Sequence, residues 1–311
     1  MMRKRILTVG RADMNIVMNV GNIPSSGQTT EGHNYAFVPG GHGSIAAVAL
    51  AKLSADSVFC ARMGDDDNGL RLIKYYSDNG VDTRFIARDE HESTGFAAVI
   101  NDAGGTTRTI AYPGANTRFG REDLENAFTC YPDALFLQTE LPDRELVAAS
   151  RLAKRQDIPV FMDAGPNKMS LPLELLENIE IFSPNEDEIY HYTGVYPGDP
   201  ERCLKACMAL MSKVDAKYIV LKLGKKGCFV YDGKYYHVVP AFDITFVDGS
   251  AAGDVFMAAL TVEYLNSGDI KKACTFANLA GALAVSKEGS YASIPSRRAV
   301  NDFAARIGVR I

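Results

Sequence analysis

Strand-like apolar runs alternate with amphipathic, helix-like stretches over most of this 311-residue chain. Such alternation is typical of an α/β protein with a doubly wound, mainly parallel sheet. No linker or internal repeat divides the chain, so we expect a single domain over 1–311. The predicted strands are Ile6 to Val9, Val58 to Ala61, Ala134 to Leu137, Val160 to Met162, Ile179 to Phe182 and Tyr218 to Leu221.

The predicted helices lie between these strands, and the last third of the chain is rich in them. They are Ser44 to Leu53, Gly69 to Asn79, Arg144 to Arg155, Asn185 to Tyr192, Arg202 to Ser212, Gly253 to Leu265, Lys271 to Ser286 and Arg297 to Arg306.

Two segments interrupt the alternation, Asn15 to Val38 and Thr94 to Pro113. In the second, NDAGG separates two strand-like runs, and Asn, Asp and Gly supply the positive φ angles of a tight hairpin turn. Together the segments predict a small β-sheet, formed by roughly 13–39 and 93–114, that projects from the main domain. Because such a sheet has open edges and one apolar face, we expect it to form a lid over a site or a dimer contact.

The charge balance argues against several partners. The chain has 33 Lys and Arg against 38 Asp and Glu, a net charge of -5 and no dense basic block, so we expect neither nucleic acid nor a membrane surface to bind it. The apolar run after MMRKR is too short for a signal peptide. Six scattered cysteines without a CxxC pair are typical of reduced thiols, so we expect a cytoplasmic protein without structural zinc.

A stretch of small residues, DGSAAGDVFMAAL, begins at Asp248 and leads into an apolar, helix-like run. Asp254 has two interpretations there. It caps the helix, because aspartate accepts hydrogen bonds from the amides of a first turn, or bare amides of Ala251, Ala252 and Gly253 form an anion pocket into which Asp254 points. This stretch by itself leaves both interpretations open.

A second such stretch, PGGHGSIAAVALAKL, passes from a strand through a tight turn into a helix. Gly41, Gly43 and Ala46 match the dinucleotide pattern GxGxxA, and Asp65 follows at about the spacing of a ribose-binding acid. A nicotinamide-dependent oxidoreductase is therefore an alternative. Against it, Pro39 interrupts the preceding strand, and the first strand of the chain lies elsewhere.

The segment YIVLKLGKKGCFVYDGK predicts a strand, a turn through Gly224 to Gly227 and a hairpin around Asp232 and Gly233. A surface turn is sufficient to explain it. Since the chain has no Walker A loop, a nucleotide site here would need another design.

In SPNEDE, Asn185 and Glu188 lie on one side of the first turn of a helix. Capping explains Asn185. Glu188 is either a favourable acid near a helix N-terminus or a residue that holds magnesium through water. The five histidines show no metal spacing, and no GxSxG elbow supports a serine hydrolase.

Taken in order, these motifs resemble those of the ribokinase, or phosphofructokinase-B (PfkB), family of carbohydrate kinases over essentially the whole chain. PGGHGSIA is similar to the N-terminal signature of that family, SPNEDE to its NxxE motif, KLGKKG to its nucleotide-side loop and DGSAAGD to its C-terminal signature. Within the family, AAGD, MGDDDNG, AYPGAN and KEGSYASIP are most similar to the ribokinases. The resemblance implies a ribokinase-like, three-layer α/β/α fold in which the small sheet is the β-clasp lid.

The resemblance also implies catalytic residues. Asp254 would be the general base that accepts the proton of a sugar hydroxyl as the hydroxyl attacks the γ-phosphorus of ATP. The amides of Ala251, Ala252 and Gly253 would face the charge on the transferring phosphoryl group.

Cofactor and nucleotide residues follow from the same resemblance. Glu188, with Asn185, would hold Mg²⁺ through the water molecules bound to the ion. The adenine and phosphate side would be lined by Lys222, Gly224, Gly227 and Asn278, with Asp163 a looser candidate. A monovalent cation, expected to be K⁺, would bind mostly backbone carbonyls at Asp248, Ser250, Ala284, Lys287, Gly289 and Ser293.

The sugar-binding positions depart from the family pattern. Ribokinases typically carry Asn and then Asp near the end of the first strand, whereas here the order is Asp13, Met14, Asn15. His42 stands where the family has Lys, and Ile45 where it has a substrate-binding Asn. A carboxylate only accepts hydrogen bonds, whereas an amide also donates them, so these changes affect which hydroxyls are recognised. The predicted sugar contacts are Asp13, Asn15, Gly41, His42 and Glu140.

The leading hypothesis is a magnesium-dependent kinase that transfers the γ-phosphate of ATP directly to a sugar, with D-ribose as the first candidate. Within the family, the alternatives are kinases of fructose, of a 2-keto-3-deoxy sugar acid or of a nucleoside. From other classes, the oxidoreductase and a catalytically silent sugar-binding regulator remain. A homodimer through the β-lid is expected.

Overall fold

A computed structural model of the protein describes residues 3–165 and 171–311, where strands and helices alternate. In chain order the strands are β1 Arg5–Val9, β2 Asp13–Val20, β3 Gly32–Gly40, β4 Asp56–Gly64, β5 Ile86–Asp89, β6 Gly95–Asp102, β7 Thr107–Tyr112, β8 Ala134–Gln138, β9 Val160–Asp163, β10 Ile179–Ser183, β11 Ala216–Lys222, β12 Cys228–Tyr231 and β13 Tyr236–Val239. The α-helices are α1 His42–Lys52, α2 Asp67–Asp78, α3 Arg121–Ala127, α4 Asp143–Arg155, α5 Glu186–Thr193, α6 Pro200–Met211, α7 Ala252–Ser267, α8 Ile270–Val285 and α9 Arg297–Arg306.

The larger of two sheets has the strand order β13-β12-β11-β10-β9-β8-β1-β4-β5. Neighbouring strands from β11 through to β5 run parallel, while β12 and β13 add an antiparallel edge. A short turn at Gly224–Lys226 connects β11 to β12, and a connection of that length permits only an antiparallel pair. The predicted doubly wound, mainly parallel sheet is confirmed.

Helices cover both faces of this sheet, which gives the three layers that the family resemblance implies. The side chains of α1, α2, α7, α8 and α9 pack on one face, and those of α3 to α6 pack on the other. Successive strand residues point to opposite layers, so Phe136 and Phe161 meet the first group of helices and Leu137 and Met162 the second. Both phenyl rings are fully buried, which stabilises the fold by roughly 1.5–3 kcal/mol for each ring.

The smaller sheet has the order β3-β2-β6-β7. β2 and β6 are parallel, whereas β3 and β7 pair antiparallel at the two edges. Large apolar side chains on the edge strands are exposed, among them Phe37 at 48% and Ile110 at 73%. The predicted hairpin around NDAGG and the predicted small sheet are thus both confirmed.

The observed elements differ from the predicted ones mainly at their ends. The predicted helices agree within two residues, and β5 and α3 were not predicted. Four strands of the larger sheet continue one residue beyond their last predicted apolar residue. The added residues are Gln138, Asp163, Ser183 and Lys222.

Within the described ranges, none of the helices has both the length and the apolar character that a membrane crossing needs. All six cysteines are buried free thiols.

Candidate active site

The four polar residues that end β8, β9, β10 and β11 lie at the carboxyl edge of the parallel sheet, the usual ligand-binding edge of open α/β folds. Two of them, Asp163 and Lys222, line a cleft of about 790 Å³ that also contacts the start of α7. The same cleft brings together many of the predicted site residues. They are His42, Asn185, Glu188, Lys222, Gly224, Gly227, Ser250, Ala252, Gly253, Asp254 and Asn278.

Asp254 lies in the first turn of α7, lines the cleft and is 5% exposed. It does not occupy the N-cap of that helix. The N-cap residue is Ala251, whose methyl group cannot accept a hydrogen bond. Gln138 Nε2 donates to Asp254 Oδ1 at 2.6 Å, and His42 Nδ1 lies 3.1 Å from Asp254 Oδ2. The capping interpretation is therefore wrong, and the carboxylate is held between two side chains.

The turn before α7 differs from the predicted pocket of three bare amides. The Ala252 amide donates to the carbonyl of Gly249 at 3.1 Å, because the turn closes on itself before the helix begins. Gly253 has no side chain, and a Cβ there would lie 3.9 Å from Lys222 Nζ. The helix N-terminus and this ammonium group thus bring positive potential to the same part of the cleft.

Lys222 lies between two carboxylates. Its Nζ is 2.6 Å from Asp163 Oδ1 and 4.0 Å from Glu188 Oε2. Burial by itself would favour the neutral amine, but the charges of Asp163 and Glu188 outweigh it and raise the pKa of Lys222. The side chain is therefore a fixed cation at neutral pH.

Asn185 and Glu188 form a capping box at the start of α5. The Glu188 amide donates to Asn185 Oδ1 at 2.8 Å, and the Asn185 amide donates to Glu188 Oε2 at 2.7 Å. Burial raises the pKa of Glu188, and the nearby Lys222 charge opposes that rise. Capping thus explains both residues, while the position of Glu188 in the cleft wall leaves it available for a second task.

A magnesium ion fits this part of the cleft only if it keeps most of its water. Over 3–165 and 171–311, His, Cys, Asp and Glu side chains nowhere form a group of three or more that could hold a metal. Asp163 and Glu188 nevertheless supply two carboxylates, and Mg²⁺ is commonly held by one or two carboxylates together with water and substrate phosphates. The donor set therefore fits a hydrated ion shared with a nucleotide.

Asp13 and Asn15 lie two residues apart on β2, so both point to the same face of the small sheet. Asp13 is buried, and its Oδ1 accepts hydrogen bonds from Asn116 Nδ2 at 2.8 Å and from Arg11 Nη2 at 3.3 Å. Burial raises the pKa of Asp13, and the Arg11 charge opposes it. Among the residues that the structure describes, those that line the cleft around Asp254 do not include Asp13 or Asn15.

Glu140 organises the loop that carries His42. Its Oε1 accepts from the amides of Arg11 and Gly43, both at 2.8 Å, and its Oε2 accepts from the His42 amide at 2.9 Å. Gly41 in this loop has a φ of +90°, and a Cβ there would lie 2.4 Å from the Arg11 carbonyl oxygen. The backbone contacts show Glu140 as an orienting group for the loop; its predicted contact with a sugar stays a prediction.

This glycine turn is not a dinucleotide site. It follows β3, a strand of the small sheet, whereas the dinucleotide pattern requires a strand of the parallel sheet that leads into the helix. Asp65, the supposed ribose-binding acid, forms an ion pair with Arg88. The oxidoreductase interpretation is therefore wrong.

The turn between β11 and β12 has a backbone that only glycine adopts easily. Gly224 and Gly227 have φ angles of +52° and +95°. Asn278 of α8 donates from Nδ2 to the carbonyls of Val239 and Pro240, at 3.1 and 3.0 Å. Asn278 thereby fixes the chain after β13 along one wall of the cleft.

The residues predicted to hold a monovalent cation come from two adjacent loops. Asp248 accepts hydrogen bonds from the Ser250 amide at 2.9 Å and from the Gly289 amide at 2.8 Å, which ties the loops together. Ala284 and Ser293, which lie close to Gly289 in sequence, are buried, whereas Lys287 is exposed. Burial by itself would raise the pKa of Asp248, but the hydrogen bonds from Ser250 and Gly289 together outweigh it and lower that pKa.

Sequence reasoning missed Gln138 and Asn116. Gln138 is 1% exposed and contacts Asp254, and Asn116 accepts from the Ala12 amide at 3.1 Å while donating to Asp13. A signal was present for both. Gln138 follows four apolar strand residues at the carboxyl end of β8, and Asn116 belongs to the AYPGAN motif.

Comparison with known proteins agrees with this geometry. The model of the pfkB family carbohydrate kinases matches residues 3–297. A ribokinase of Haemophilus influenzae is 29% identical over 304 residues, which are 97% of this chain and 99% of that protein.

Solved structures give the same result. Arabidopsis thaliana ribokinase complexed with ribose and ATP has a TM-score of 0.90 and 28% identity, covering 97% of this chain and 99% of that one. Ribokinase from Thermotoga maritima has a TM-score of 0.83 and 29% identity over the same shares of the two chains. Since the family model matches nearly the whole sequence, this chain belongs to the pfkB family of carbohydrate kinases, which are phosphotransferases acting on an alcohol group.

Proposed function

We propose that this carbohydrate kinase transfers the γ-phosphate of ATP to a hydroxyl of D-ribose, with Asp254 as the general base. The observation that carries the proposal is a buried carboxylate at the start of α7, held by Gln138 and His42 in the cleft that also contains Lys222. The similar Arabidopsis ribokinase was solved with ribose and ATP, which supports the same pair of substrates here.

In this mechanism Asp254 accepts the proton of the attacking hydroxyl as the new oxygen–phosphorus bond forms and the bond from the γ-phosphorus to the leaving oxygen of ADP breaks. Aspartate is ionised at neutral pH, and a positioned base contributes roughly 10²- to 10⁴-fold. Lys222 and the first turn of α7 stabilise negative charge on the transferring group without reorganising. The transfer is direct, with no covalent enzyme intermediate.

We propose that Glu188 and Asp163 hold Mg²⁺ through its water shell, with Asn185 fixing the Glu188 side chain. When bound, Mg²⁺ neutralises phosphate charge. For K⁺, the proposed positions are those on the two loops joined by Asp248, chiefly Ser250 and Gly289. The support is the contact between these loops next to the start of α7.

Which sugar binds depends on the residues around Asp13. Asp13 is already engaged by Asn116 and Arg11, and Ile45 is buried with no polar group to offer. His42 supplies an aromatic cation where ribokinases have Lys. Other acceptors within the family, such as fructose, a 2-keto-3-deoxy sugar acid or a nucleoside, therefore belong in the same test as D-ribose.

We further propose that the chain is one kinase domain whose small sheet closes over the sugar and forms a homodimer contact. The exposed apolar side chains of β3 and β7 support this role, because exposed apolar patches mark interaction sites. The six buried free thiols support a cytoplasmic location.

A sugar panel tests the proposal. The protein is mixed with ATP and Mg²⁺ and with each acceptor in turn, and release of ADP is followed. We expect D-ribose to give the largest kcat/KM. A larger value with another sugar would make that sugar the substrate in place of D-ribose. If none of the acceptors raised ADP release above the background rate, the proposed phosphotransfer would be refuted.

A further inference from the structure

Gln138 is the buried polar residue that most directly touches the proposed base. It ends β8, a central strand paired with β1 on one side and β9 on the other, and it is 1% exposed. Its Nε2 donates to Asp254 Oδ1 at 2.6 Å. Its amide oxygen Oε1 is buried and has no hydrogen-bond partner among the residues that the structure describes.

The unpaired oxygen of Gln138 costs the fold stability. A buried amide oxygen without a partner loses its hydration and gains nothing in return, and only the hydrogen bond from Nε2 to Asp254 offsets that cost. Buried polar groups of this kind call for an explanation other than stability. The contact with Asp254 is the one that explains Gln138.

The second contact of Asp254 differs in character. His42 Nδ1 lies 3.1 Å from Oδ2 and 3.3 Å from Oδ1, and the imidazole is 45% exposed at the cleft. Gln138 instead reaches Asp254 from a strand inside the sheet and is enclosed by packed residues. The rigid contact is therefore made to Oδ1, while Oδ2 faces the exposed imidazole.

We propose that Gln138 is a positioning residue: its amide fixes the rotation of the Asp254 carboxylate so that Oδ2 is presented to the acceptor hydroxyl. This inference rests on the proposed role of Asp254 as general base. Gln138 itself does not contact the sugar, because its free oxygen is buried rather than open to the cleft.

The first test replaces the amide with an apolar side chain of similar length, Gln138→Met. A base misplaced by about 1 Å loses about a hundredfold in rate, so we expect kcat to fall roughly 10- to 100-fold with KM for ATP and sugar nearly unchanged. We expect the thermal midpoint to move little, because the gain from removing the unpaired oxygen opposes the loss of the hydrogen bond to Asp254 Oδ1. Gln156→Met, at the exposed end of α4, is the matched control.

The second test changes charge rather than shape. Gln138→Glu places a second carboxylate against Asp254, and we expect the acid limb of the kcat/KM profile to move to higher pH by about one unit or more. The other charged groups facing Asp254 are His42 and Lys222, and both are unchanged in this variant. Gln156→Glu controls for the added charge. This test remains decisive if the Met variant does not fold.

A double variant separates the inference from the proposed function. If Gln138 acts through Asp254, adding Gln138→Met to Asp254→Asn causes no further loss of activity. Full turnover in Asp254→Asn would refute the proposed base. A large loss in Asp254→Asn, with unchanged kcat and an unchanged pH profile in the Gln138 variants, would refute only the positioning role. A further loss in the double variant would likewise overturn it.

Discussion

The imidazole Nδ1 of His42 lies 3.1 Å from the carboxylate Oδ2 of Asp254, joining the first residue of α1 to the first turn of α7. The negative charge of Asp254 raises the pKa of His42 to about 10, although burial opposes the rise. His42 is therefore a cation at neutral pH. It places this positive charge beside the proposed base on a short, rigid side chain.

The pH dependence of stability tests this ion pair. Because the pKa of His42 is raised in the folded state from 6.5 to about 10, the stabilisation is fully present below the ordinary value and is lost as pH rises through about 10. We expect His42→Gln to lower the thermal midpoint at about pH 6 and to have no effect at about pH 10.5. The exposed His33→Gln is the control. Equal destabilisation at both pH values would contradict the ion pair.

Removing the charge of the proposed base separates catalysis from binding. Asp254→Asn keeps the size of the side chain but cannot accept the hydroxyl proton as a carboxylate does. We expect turnover to fall by at least about a hundredfold while ATP affinity, measured by calorimetry, stays nearly unchanged. Asp302→Asn, on the exposed face of α9, is the matched control. Wild-type turnover in Asp254→Asn would remove this residue from the mechanism.

Two glycines in one turn provide an internal comparison. At Gly227, with a φ of +95°, an added Cβ would lie 2.1 Å from the Val239 carbonyl oxygen, whereas at Gly224, with a φ of +52°, a Cβ would have no atom within 4 Å. We expect Gly224→Ala to lower the free energy of unfolding by about 1–2 kcal/mol, the cost of a left-handed alanine. Gly227→Ala adds a steric clash and should cost more. It should also weaken ATP binding, because the turn lines the cleft. Equal effects in urea unfolding would contradict this account.

The proposed dimer contact predicts a surface variant with altered assembly. Ile110 on edge strand β7 is 73% exposed, and a charge there would oppose burial against a second copy. We expect Ile110→Lys to convert a dimer to a monomer in analytical ultracentrifugation. Met208→Lys, 53% exposed on α6, should leave the assembly as it is. A wild-type protein that is monomeric at all accessible concentrations would refute the contact.

Much of the fold followed from local patterns. Apolar runs placed the parallel strands of the larger sheet, and the residues NDAGG placed the hairpin of the smaller one, because positive φ angles are a local property of those residues. β5 was missed because it is short and ends in two charged residues, IARD, so that its position depends on pairing with β4.

The site was predictable where a motif marks it and not where the sheet creates it. Asp254 and Lys222 belong to recognisable motifs, and the cleft brings them together. Gln138 lies 116 residues from Asp254 in the chain, and no local pattern relates them. The predicted strands ended at the last apolar residue, yet the next, polar residues of β9 and β11 line the cleft, and that of β8 contacts Asp254.

The order of apolar and polar residues along the chain determined the α/β class and the turns, since these depend on periodicity and on backbone preferences of a few neighbouring residues. Only the tertiary structure decided that the Asp254 carboxylate contacts Gln138 and His42 and does not cap α7. Only the tertiary structure likewise decided that His42 carries a proton. Both depend on distances between strands and helices far apart in sequence, and a charge interaction changes steeply with such distances.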